Sequence, residues 1–136
     1  MKSKYFLTAI LILLASTVTL GQSNNKISTI EMVKIKNGNK AEALYYFEHN
    51  WKVLREMAVE KGYIDSYQLL MVPADEKREF DLLLITTFTD QKQYDKIEDH
   101  FAELIQKAGS LKLLNDKKPT EFRESWMSLE NLGHLE

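Results

Sequence analysis

Phe80-Asp81-Leu82-Leu83-Leu84-Ile85-Thr86-Thr87-Phe88 is the stretch on which the fold turns. It holds no Gly or Pro and is rich in Leu, Ile, Thr and Phe, which marks a strand. Its apolar residues fall on both alternating faces, so it belongs in the middle of a sheet, covered on both sides. Reading back, the polar loop Pro73 to Arg78 separates it from a second strand, Tyr63 to Val72. Reading forward, Asp90 with Gln93 three residues on forms a capping-box pattern and opens a helix. The apolar stripe of that helix is Tyr94, Ile97, Phe101, Leu104, Ile105 and Ala108, and Gly109-Ser110 ends it.

The outer segments repeat the plan. Ile27 to Lys36 is a strand, and Asn37-Gly38 turns the chain. Asn39 is a good N-cap, with Glu42 in the capping-box position. The helix runs to about Lys61 and stops at Gly62. Its stripe, Leu44, Phe47, Trp51, Leu54 and Ala58, keeps the 3.6-residue period. Leu111 to Lys118 is a basic, solvated connector, Thr120 to Ser128 a last strand, and Leu129 to Glu136 a frayed tail. The order βαββαβ is the ferredoxin-like, split-βαβ plan of an α+β domain: a four-stranded antiparallel sheet with two helices on one face.

Two helices leave the other sheet face in water, yet the central strand is apolar on that side too. An uncovered apolar sheet face is an interface. The economical partner is a second copy packed sheet to sheet, with Leu84, Arg123 and Trp126 as interface candidates.

Composition bounds the rest. A chain of 136 residues, 44% hydrophobic, has room for one domain and is not disordered. Eighteen basic against 20 acidic residues leave no broad basic face for nucleic acid or anionic lipid. The absence of cysteine excludes disulfides, thiolate chemistry, zinc fingers and iron–sulfur clusters.

The first segment reads as a secretory signal peptide. Lys2 and Lys4 form the positive region, Tyr5 to Leu14 the apolar core, and small residues follow to Gly21. The apolar core is shorter than the roughly 20 residues a bilayer span needs. Cleavage between Gly21 and Gln22 leaves residues 22–136 as one domain with a core of about 26–128, exported to the periplasm or medium and not inserted in the membrane. The alternative is an uncleaved N-terminal anchor.

Val33-Lys34-Ile35-Lys36-Asn37-Gly38-Asn39 and Phe80 to Asp90 carry a resemblance. Over Lys26 to about Ser128 the chain resembles the dimeric α+β barrel superfamily, within it the antibiotic-biosynthesis-monooxygenase-type proteins. The first run is similar to their strand and Lys-Pro-Gly-Lys lead into the first helix; the second is similar to their central strand and capped helix. The resemblance implies a homodimer and a fold that hosts cofactor-free monooxygenases, haem-degrading enzymes, isomerases and proteins without a reaction. It also implies a Trp at the position of Phe88 and a His at that of Ile97, so both polar handles of such an enzyme are replaced here.

The remaining candidates are few. His49 lies opposite the apolar stripe and faces solvent, and His134 is in the tail. His100 flanks the second stripe and is the one candidate for acid–base catalysis, set against a boundary histidine bonded locally. Trp51 reads as core. Tyr63 and Tyr67, with Phe88, are candidates to hold an aromatic or quinone-like ligand. No metal site, phosphate loop or nucleophile elbow is present. Two functions remain: an exported small-molecule-binding or structural dimer without chemistry or cofactor, or a cofactor-independent monooxygenase-like enzyme acting on an aromatic or quinol substrate.

Overall fold

A computed structural model describes residues 24–75 and 77–135. The segment read as a signal peptide, with its expected cleavage point, lies outside the described residues. Four strands, β1 (Ile27–Ile35), β2 (Ser66–Met71), β3 (Leu82–Phe88) and β4 (Arg123–Gly133), form one sheet in the order β2-β3-β1-β4. Every neighbouring pair is antiparallel. With the helices on one side, this is the ferredoxin-like arrangement expected from the element order.

The first helical layer is α1 (Lys40–Tyr46), a π-helical turn (Phe47–Trp51) and α2 (Lys52–Glu60). The second is α3 (Gln91–Tyr94) and α4 (Ile97–Ala108); a short α5 (Pro119–Phe122) precedes β4. Gly62 ends α2 at φ +69°, a left-handed conformation that costs glycine little. Asp90 caps α3 as expected, its carboxylate accepting from Gln93 N at 2.7 Å. Asn39 does not cap α1. Its amide donates to Glu121 O and its oxygen accepts from Lys117 Nζ, tying the start of α1 to the connector before β4.

Residues 129–134 are not a frayed tail. β1 is nine residues long, and its outer edge stays paired to its first residue, Ile27, against Gly133. Beyond the strand, His134 N donates to Lys26 O, and its Nε2 lies 2.7 Å from Ser28 Oγ. Two bulges take up the length of β4. One leaves Trp126 without a partner in the register; the other includes Asn131, at φ +55°.

Strand alternation sorts the side chains. Val33, Leu82, Leu84 and Phe88 face the helices and are buried in two clusters, around Phe47 and around Ala58 and Leu104. Leu84, expected on the free face, is 2% exposed in the first cluster. The alternation places its neighbours Leu83 and Ile85, paired with Met32 and Ile30, on the other face. Leu70, Met127 and Leu129 share that face through their pairings and are exposed. No helix covers it.

Candidate functional site

The helix-facing side of the sheet is not uniformly apolar. Thr29, Glu31 and Thr86 interrupt it in the middle of the central strands, where Thr29 pairs with Thr86 and Glu31 with Leu84. Polar groups in such a place require partners or a cavity. Both are present. A cavity of about 680 Å³ opens between the sheet and α2, α3 and α4. Thr29, Leu54, Arg55, Tyr94, Phe101 and Ile105 line it, with Asp95, Glu98, Asp99 and Glu130 at its exposed mouth. That volume suits a small organic ligand.

Arg55 projects from α2 into this space. Its Cζ lies 4.5 Å from the centroid of Trp51 and 4.4 Å from that of Phe101, so two aromatic rings hold the guanidinium. Its Nε donates to Thr86 Oγ1 at 3.3 Å. Burial depresses its pKa to about 10, and the field of Glu31 opposes that fall. Glu31 itself is nearest to another cation, Arg123, at 3.9 Å.

Arg123, expected at a dimer contact, lies on the helix side instead. Its Nη2 donates to Tyr46 Oη at 3.3 Å, and its guanidinium stacks over Tyr46 at 4.9 Å. Its register partner on β1, Ile35, packs against the helix-facing core, which directs Arg123 inward with it. Trp126, the other interface candidate on β4, is 38% exposed and packs against Phe80.

The other expected residues are not brought together. His100 stacks flat on Tyr63, centroids 3.7 Å apart, and does not line the cavity. Its Nδ1 is buried without a hydrogen bond, so a locally bonded ring is not what the structure has either. Tyr63 turns its hydroxyl away to donate to Glu103 at 2.8 Å. That bond and a second from Lys61 hold the Glu103 carboxyl below its usual range. Tyr67 donates to Glu56 and meets Trp51 edge-on. Phe88 is fully buried against Tyr94 and forms floor structure, not lining. Ile97 does line the cavity, at the position where the resemblance implies histidine. His49 is exposed as expected and stacks on Tyr45.

Arg55 escaped the sequence reading because it sits beside, not on, the apolar stripe. The π turn was equally invisible. Side chains bond back along it: His49 Nδ1 donates to Tyr45 O and Asn50 Nδ2 to Tyr46 O, both at 2.9 Å. Asn50 also clamps Lys112, accepting from its N and donating to its O, which fixes the chain leaving α4.

No family model and no curated protein matches the chain. Among solved structures it is similar to a dimeric protein of unknown function and ferredoxin-like fold from Bacteroides fragilis. The identity is 13% and the TM-score 0.49, over 79% of this chain and 98% of that one.

Proposed function

We propose that this chain is an exported small-molecule-binding protein that acts as a homodimer, with the cavity under α2 and α4 as its ligand site. One observation carries the ligand reading: a 680 Å³ space in which Leu54, Tyr94, Ile97, Phe101 and Ile105 form apolar walls around one half-buried guanidinium, Arg55, held between two aromatic rings. Sites for small organic molecules have that makeup. The dimer rests on the uncovered sheet face, where Ile30, Met32, Leu83, Ile85, Leu70, Met127 and Leu129 form a continuous apolar surface. Export rests on the positive and apolar segments at residues 2–14.

Cofactor-independent oxygenation is the weaker reading. Among the described residues lining the cavity there is no histidine, and His100 faces Tyr63. Native mass spectrometry of protein purified from its own host tests the proposal. A dimer that loses a small-molecule mass on activation is the expected result. A bare monomer at micromolar concentration would overturn it.

A further inference from the structure

We infer that the cavity selects flat, mostly apolar monoanions, a single carboxylate being read end-on by the guanidinium of Arg55; this rests on the cavity being a ligand site. The argument begins with an unbalanced charge. Among the described residues Arg55 makes one hydrogen bond, from Nε to Thr86, which leaves the paired edge of its two terminal nitrogens without a partner among them. Among the described residues no carboxylate oxygen lies within 4 Å of it; Glu31, the acid whose field it feels, is paired with Arg123 instead. Two guanidinium groups therefore share one interior carboxylate.

A cation drawn out of water without a matched anion is unfavourable unless a ligand supplies one. The unused edge has the fork geometry that takes both oxygens of a carboxylate. Trp51 and Phe101 fix the guanidinium plane, so little freedom is lost when an acid docks. Tyr94, Phe101, Leu54 and Ile105 supply apolar walls for the rest of the molecule. The mouth sets the charge limit. Asp95, Glu98, Asp99 and Glu130 are exposed and screened over about 8 Å at physiological salt. One negative charge can pass them and reach Arg55; a second, left at the mouth, meets like charges.

Isothermal titration calorimetry of the wild-type protein with 2-naphthoate, 2-naphthamide and 2,6-naphthalenedicarboxylate tests this. Naphthoate should bind at least about tenfold more tightly than either of the others, as a charge-assisted pair worth about 1.5–3 kcal/mol requires. Arg55→Met, folded by circular dichroism, should abolish that preference and keep the naphthamide affinity. Glu31→Gln, which removes the competing carboxylate, should tighten naphthoate several-fold and leave naphthamide unchanged; this variant serves if Arg55→Met does not fold. Equal wild-type affinities for acid and amide, or a preference that survives Arg55→Met, would overturn the inference and leave the cavity reading standing. No binding of any of the three to the wild type would overturn both.

Discussion

Leu83 and Leu84 are adjacent in sequence and opposite in consequence. Leu84 is 2% exposed in the helix-facing core and pairs with Glu31. Leu84→Asp would place a second carboxylate directly across from Glu31, in a cluster with Val33, Phe47 and Leu82. Loss of a buried leucine alone costs about 2–5 kcal/mol. An uncompensated buried charge adds to that, against a total stability of about 5–15 kcal/mol. This variant should fail to fold.

Leu83 is half-buried on the uncovered face and should tolerate a polar group within the protomer. Full burial of a leucine is worth about 1.5–3 kcal/mol, so covering the remaining part gives about half of that. A twofold interface counts it twice, for about 1.5–3 kcal/mol, or about 10- to 100-fold in Kd. Two facing carboxylates raise the penalty further. Leu83→Asp should therefore give a folded monomer. Sedimentation velocity at micromolar concentration, with thermal melts followed by circular dichroism, separates the cases. A folded Leu84→Asp monomer beside an unaffected Leu83→Asp dimer would refute the assignment of faces.

Removing the Asp90 cap by Asp90→Ala should cost about 1 kcal/mol in urea denaturation, with the slope unchanged; no loss would mean that Gln93 N finds another acceptor. The Lys117 ammonium, with help from Asn115, holds the Glu42 carboxyl at about 2, down from 4.5. A depressed folded-state value stabilises above about 4.5, and that contribution disappears as pH falls toward 2. Glu42→Gln should thus flatten Tm against pH in that window, and an unchanged slope would count against the pair. His100→Gln should leave naphthoate binding as it is, since the ring stacks on Tyr63 outside the cavity; a tenfold loss would return His100 to the site. N-terminal sequencing of the exported protein should begin at or near Gln22, whereas an intact Met1 in the membrane fraction would favour the anchor.

The fold was legible because it rests on patterns with a period. The two-faced apolarity of residues 80–88 put β3 in the interior of the sheet, and the Asp90-Gln93 and Gly62 signals set helix ends that the structure keeps. Facing was harder. Leu82 to Ile85 are all apolar, so the strand's own sequence does not say which alternate pair meets the helices. The register against β1 decides it. β4 was cut short because its bulges break the period, and because Asn131 and Gly133 look like turn residues. The site was the least legible. Arg55 owes its position to Trp51, Phe101 and Thr86, from three separate elements, and no local spacing announces such a meeting. Arg123 looked like an edge residue by composition and was drawn inward by Tyr46 and Glu31.

The π turn at Phe47–Trp51 bears on which changes of length the chain can accept. In a regular α-helix each residue advances the facing by about 100°, so a deletion swings everything beyond it off target. A π turn spends one residue more than an α turn while the segments on either side keep their bearing. Losing one residue here, such as the exposed Glu48, would let the turn relax into plain α-helix with Phe47 and Arg55 still aimed at the sheet. The same deletion in α2 would rotate Arg55 out of the cavity or Ala58 out of the core. The first helix thus has one place where its reading frame is slack, and that place lies one turn before the residue on which the cavity depends.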